Sequence, residues 1–154
     1  MNTTHKEIII PSIPITLPTG FYKMPPEEMD RQYPIKAQMP QEAFYSEDGK
    51  AILGINHRVD KFDIKDIQQF KEKVFDQSVK RAHPEYTSEI QAINGVPCVL
   101  MSYKVELEEP LYMSTLFSCY QKRMLFIAFT CPYQEKEKWQ PVVDEIFQTL
   151  QAKP

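Results

Sequence analysis

The residues able to do chemistry in this chain are few and scattered: three cysteines, Cys98, Cys119 and Cys131, and three histidines, His5, His57 and His83. Cys131 raises the first question. It stands in "MLFIAFTCPYQEKEKW", where an apolar run meets a Cys-Pro step and then a charged segment carrying the only Trp. A nucleophilic thiol needs its thiolate stabilised by a base, a cation or a helix N-terminus. Only the last is at hand, because a helix is expected a few residues on and neither a His nor a second Cys is near in sequence. Cys131 is therefore read as a small buried apolar side chain, with a reactive thiol as the alternative.

No HExxH, HxH or other metal-ligand spacing occurs, so no zinc or iron site and no cofactor is expected. Motifs of the GxSxG, GxGxxG and GxxxxGK[ST] kinds are missing, and four glycines are too few to build a phosphate cradle easily. Asp60, Asp63 and Asp66 are spaced like a cation site but lack the glycine and distal Glu of a calcium loop, so helix capping accounts for them. Glu106, Glu108 and Glu109 crowd a hairpin tip, where solvated acids shift one another little. His83 follows Lys80 and Arg81 at a helix C-terminus and is read as part of it. Tyrosines at half-wet surfaces suit recognition, and Arg31, Tyr33 and Pro34 are the candidate partner-binding residues.

The elements that position these groups can be traced along the chain. Thirteen prolines, most of them in the first 40 residues, imply an extended N-terminal arm and short edge strands over residues 1–24. "PPEEMDR" suits a short helix that ends before Tyr33-Pro34. "EAFYSEDGKAILGINHRV" reads as a hairpin turned at Asp48-Gly49. From Asp63, a plausible N-cap, the residues Ile64, Ile67, Phe70, Val74, Phe75 and Val79 mark one buried helical face that stops at Pro84.

Four strands then form an antiparallel meander, "TSEIQAI", "VPCVLMSYKVEL", "LYMSTLFSCY" and "MLFIAFTC", the first turn being Asn94-Gly95. The last is apolar on both faces and should be central or covered twice. If residues 121–123 are a three-residue connection, Tyr120 faces Met124, Cys119 faces Leu125 and Cys131 faces Met113, too far apart to share a bond. If Leu107 likewise faces Leu111, Cys98 opposes Tyr120 and points away from Cys119; a one-residue slip would instead bring these two thiols together. The chain closes on an amphipathic helix, with Trp139, Val142, Val143, Ile146, Phe147 and Leu150 in its stripe and a start at about Glu137 or Lys138, so that Pro141 falls near the first turn.

With 154 residues, 42% apolar and 25% charged, the chain has the makings of one soluble domain over residues 1–154. A net charge of -3 gives no field to draw nucleic acid. No signal peptide or stretch of eighteen apolar residues is visible, so membrane insertion is not expected. An odd number of cysteines without CxxC fits the reducing cytoplasm.

In the order of these elements, with "PTGFYKM", "YPIKAQMPQEAFYSEDGKAILGI", "INGVPCVLMSYKV" and "FTCPYQEKEKW", the chain resembles the PsbP-like superfamily. That fold is shared by the PsbP photosystem subunit, a nuclear Ran-binding release factor and uncharacterised bacterial proteins. The resemblance implies an α+β domain, a central antiparallel sheet with helices on both faces (an α/β/α sandwich), and a binding or assembly role without bound chemistry. The expectation is thus a non-catalytic module, not an enzyme, that binds another protein. The alternatives are a small-ligand carrier or thiol-dependent enzyme with a pocket between sheet and helix that uses Cys131 or His57, and a homodimer joined through the edge "KEIII".

Overall fold

The last strand of the chain lies in the middle of its sheet. In the computed structural model, which describes residues 11–154, the strands are β1 (Phe21–Lys23), β2 (Glu42–Ser46), β3 (Ile52–Lys61), β4 (Thr87–Ile93), β5 (Val96–Val105), β6 (Leu111–Tyr120) and β7 (Arg123–Pro132). All pair antiparallel, in the order β1-β2-β3-β7-β6-β5-β4. β7 is central because both its faces are apolar: Leu125, Ile127, Phe129 and Cys131 point one way, Met124 and Phe126 the other.

The first face is covered by α4 (Lys136–Gln148), whose Val143, Ile146 and Phe147 are buried, and by Leu150 beyond it. Burying each such side chain is worth about 1.5–3 kcal/mol. That outweighs the defect at Pro141, which lies inside the helix and leaves the Glu137 carbonyl without its donor four residues on, at a cost of up to about 3 kcal/mol. The helix starts at Lys136, earlier than expected, because a 3₁₀ turn, Tyr133–Glu135, leads into it. The described part of the N-terminal arm, from residue 11 on, also packs on this face. Ile13 and Ile15 are buried there, and Pro14 O accepts from Gln151 N–H at 3.0 Å. Among the described residues the arm contributes one edge strand, β1; the rest of its proline-broken chain forms none.

On the second face, α1 (Pro26–Gln32) covers the β1–β2 end. The other end is covered by a continuous helical run made of the 3₁₀ turn Ile64–Asp66, α2 (Ile67–Phe70), a π-helix (Lys71–Val79) and α3 (Lys80–Ala82). The π winding corrects the expected stripe. Hydrogen bonds reach five residues back, as from Lys80 N–H to Phe75 O, which rotates Val74 out to 38% exposure. Phe70 and Phe75, five apart, meet instead at 5.3 Å between ring centroids, and both contact Phe117 of β6.

The meander's register also differs from expectation. Residues 121 and 122 form a two-residue turn with φ of 53° and 64°, so Tyr120 faces Arg123, Cys119 faces Met124 and Cys131 faces Tyr112. Two non-glycine residues in the left-handed region are costly, and neighbours hold them: Gln121 N–H donates to Lys153 O at 2.8 Å and Phe62 N–H to Lys122 O at 3.0 Å. Across the preceding turn Val105, not Leu107, faces Leu111.

Candidate functional site

The thiols come first, since they carry the enzymatic alternative. Cys131 has no exposed surface and packs among the residues beneath α4. Burial, with the Glu135 carboxylate adding to it, pushes its pKa up to about 11. A thiol in that state is nearly devoid of thiolate at neutral pH. Cys98 is buried, its pKa raised by that burial, and its Sγ lies 3.5 Å from Val96 O. Cys119 donates to Phe62 O at 3.2 Å, and its pKa is likewise raised by burial. Because Val99 faces Phe117, Cys98 and Cys119 point to opposite faces, and all three thiols are free.

His57 is also inside, at 8% exposure. Its Nε2 is 2.7 Å from Tyr120 O and its Nδ1 is 2.8 Å from the Arg123 guanidinium. Both nitrogens are engaged, so the ring offers neither a lone pair for proton abstraction nor a ligand position. Gln41 completes this corner: its side-chain amide accepts from His57 N–H at 3.0 Å and donates to His57 O at 2.8 Å. His83 stacks on Tyr103 at 4.5 Å; His5 lies outside the described residues, as does "KEIII".

The carboxylates act singly. Asp63 accepts from Lys65 N–H at 3.0 Å at the helix start, and Asp60 pairs with Arg58 at 3.0 Å. Glu106 lies 3.8 Å from Lys104. Among the described residues no three His, Cys, Asp or Glu side chains are grouped to hold a metal ion.

The partner-binding candidates occupy the surface end of α1. Two prolines start that helix, and Met29 and Tyr33 pack it against Met24, Ala43 and Ile52. Tyr33 closes the helix, its N–H donating to Met29 O at 2.9 Å, and burial raises the phenol's pKa. Beneath it, Gly54 of β3 permits close approach: a Cβ there would stand 3.2 Å from Pro40 Cγ and 3.8 Å from the Tyr33 hydroxyl. With Tyr33 fixed from below, Arg31 and Pro34 face outward, Arg31 paired with Glu28 and the next basic residue, Lys36, with Asp30. Ile35, absent from the sequence-based set, is 57% exposed beside them. Its signal was an apolar residue directly after Tyr-Pro, where no amphipathic pattern gives it a buried face.

A polar cluster on the second face was missed as well. Asp76 of the π-helix accepts from Tyr86 at 2.6 Å, Ser88 at 2.7 Å and Lys71 at 2.8 Å. Partial burial works to raise the Asp76 pKa, but these three bonds and the Lys71 charge prevail and hold it at about 2. Burial and the Asp76 carboxylate push Tyr86 up to about 12. The partners lie 5, 10 and 12 residues from Asp76 in sequence, spacings of no helical or strand face, so periodicity could not expose them.

Sheet order, the helices on both faces and the closing helix together define an α+β protein of the PsbP-like fold. Among solved structures the chain is similar to cyanobacterial PsbP (CyanoP) from Synechocystis sp. PCC 6803, with a TM-score of 0.53 and 12% identity over 90% of this chain and 85% of that one. It is also similar to PA94, a protein of unknown function from Pseudomonas aeruginosa (TM-score 0.45, 18% identity, 97% of this chain and 94% of that one). A third is LpqN of Mycobacterium tuberculosis, involved in cell envelope biogenesis (TM-score 0.43, 10% identity, 86% of this chain and 78% of that one). No family model and no curated protein matches the sequence. At such identities the likeness carries the fold alone.

Proposed function

We propose that this chain is a non-catalytic binding module, a single domain that presents residues 31–36 to another protein. The observation that carries the reading is the contrast within that segment. Tyr33 is packed against the sheet, whereas Arg31, Pro34 and Ile35 stand outward on a segment it immobilises. A large apolar side chain rimmed by charges is how a recognition centre is built. The buried thiols and the doubly bonded His57 support the same reading, since each has a structural occupation. Three free thiols fit a reducing compartment such as the cytoplasm.

Affinity capture with the wild-type chain and with Ile35→Asp tests it. A protein retained reproducibly by the first and lost by the second is the expected result; a bait that comes down alone, or a partner indifferent to Ile35, overturns it. A ligand-carrier reading draws on the cleft of about 480 Å³ lined by Phe62, Ile64 and Cys119. An apolar dye displaced from that cleft by cell extract would favour it over the module. Light scattering at two concentrations separates both from a homodimer.

A further inference from the structure

The two border strands of the sheet differ. β1 is three residues long, whereas β4 runs for seven, Thr87–Ile93, with no proline and an unbroken register against β5. Shortness, prolines and bulges are what usually keep an edge from pairing. β4 has none of them.

The turn decides which of its backbone groups are open. Asn94-Gly95 is a two-residue connection, so Ile93 and Val96 close it as a hydrogen-bonded pair, and Gln91, Glu89 and Thr87 repeat that pairing along the strand. Pro97 agrees: its carbonyl accepts from Ser118 Oγ of β6 at 3.0 Å, so its rung with Ala92 is a non-bonded one. The N–H and C=O groups of Ser88, Ile90 and Ala92 therefore point away from the sheet, and among the described residues nothing bonds to them.

The two sides of this edge carry different chemistry. Ile90, opposite Val99, lies on the second face, where it and Val79 form a half-buried rim of the phenylalanine cluster. Glu89, opposite Leu100, lies on the first face beside α4. Gln148 of that helix donates to Gln91 at 2.5 Å, and one turn back Asp144 comes near Glu89: burial, and after it the Glu89 charge, raises the Asp144 pKa. Among the described residues neither carboxylate has an ion pair or a side-chain hydrogen bond. Lys136, two turns further back on the same side of the helix, is held by Glu85 at 3.7 Å.

Open ladder groups suit an extended chain. Its side chains opposite Ser88, Ile90 and Ala92 would fall on the apolar rim, and the one opposite Glu89 beside two uncompensated carboxylates. A second copy of this chain, turned about Ile90, would add another Glu89 and Asp144 to the same place, so charge selects against it.

We propose that β4 is extended by an antiparallel strand of a partner protein, with apolar side chains toward Ile90 and Val79 and a lysine or arginine set against Glu89 and Asp144. This edge lies at the other end of the sheet from α1 and Ile35, and binding is read on the purified chain, so either reading can fail while the other stands.

The test is a titration of the isotope-labelled chain with acetyl-Thr-Val-Gln-Val-Arg-Val-Thr-amide, followed by amide resonances and hydrogen exchange. The amides of Ser88, Ile90 and Ala92 should shift saturably and exchange more slowly, while Glu89 and Gln91, already bonded to β5, keep their rates. A peptide with Glu for Arg should bind more weakly, and one with Pro for the central Val, which lacks the N–H facing Ile90, should not bind. Glu89→Gln should weaken the arginine peptide about 2- to 5-fold, the size of an exposed charge pair. Ala92→Pro, at an exposed position whose N–H the native ladder does not use, should abolish binding; the proline peptide reports on the same ladder should that variant not fold. No saturable shift at millimolar peptide, shifts centred on residues 31–36, equal binding of the glutamate peptide, or a peptide-free chain that is dimeric and already protected at Ser88, Ile90 and Ala92 would each overturn the proposal.

Discussion

The Nδ1 atom of His57 lies 2.8 Å from the Arg123 guanidinium, while the other ring nitrogen lies 2.7 Å from the Tyr120 carbonyl. A carbonyl only accepts, so Nε2 carries the proton and Nδ1 offers its lone pair to the arginine. The pairing of β3 with β7 loses register between His57 and Lys61. The imidazole therefore bridges the two strands where the backbone ladder falters, and ties both to the β6–β7 turn.

Replacing His57 with Phe would keep the ring's bulk and leave the Tyr120 carbonyl and Arg123 without this partner. A loss of about 1–3 kcal/mol is expected, read as a lower urea midpoint at unchanged slope. An unaltered midpoint would show that the bridge does not contribute.

Thiol reactivity should divide by folding state. With Cys131 at a pKa of about 11 and Cys98 and Cys119 also raised, a disulfide reagent at pH 7.5 should label native protein slowly at every site and all three at once in denaturant. Selective fast labelling of Cys131 would restore the thiol-enzyme alternative.

Asp76 makes stability depend on pH in acid. Its folded pKa, about 2, lies below the ordinary 3.8 of an aspartate, so its contribution is complete above pH 3.8 and disappears as pH falls toward 2. Allowing for its part exposure, the contribution is about 1–2 kcal/mol. Asp76→Asn should therefore lower stability at pH 7 and flatten the acid limb of an unfolding series; parallel curves for the two proteins would refute the assignment.

Pro141 offers the opposite change. It is exposed, and Ala there would restore a donor for the Glu137 carbonyl and remove the ring from the helix interior. Part of the helix gain of about 3 kcal/mol is offset by greater freedom of the unfolded chain, leaving about 1–2 kcal/mol. Calorimetry should show a higher midpoint for Pro141→Ala, and a lower one would mean that the proline's restriction of the unfolded chain outweighs the restored bond.

What could be read in advance was whatever local pattern determines. The Asp48-Gly49 and Asn94-Gly95 turns, the stripe of α4 and the two-sided apolarity of β7 all follow from neighbours in sequence, and each took its expected place. Val74 did not, because π winding keeps the same residues but changes which of them share a face, and no composition signals it. The β6–β7 turn escaped for a related reason: Gln121 and Lys122 adopt glycine-like angles and are bonded there by Lys153 and Phe62, both distant in sequence. Arg31, Tyr33 and Pro34 could be named as candidates from the sequence, but that Ile35 stands out and Trp139 lines a cleft with Asp48 depends on how three segments meet.

The central place of β7 bears on how this protein is made. Six of the described strands precede β7 in the chain, and the sheet order divides them into two groups, β1-β2-β3 and β6-β5-β4, whose facing borders are joined through β7. Until it arrives, two rows of unpaired amides lie exposed beside apolar faces, a form prone to joining other nascent chains. A chain interrupted shortly before residue 123 should thus be insoluble or chaperone-bound rather than smaller and folded, and the native state should form in one late step as the missing middle is inserted.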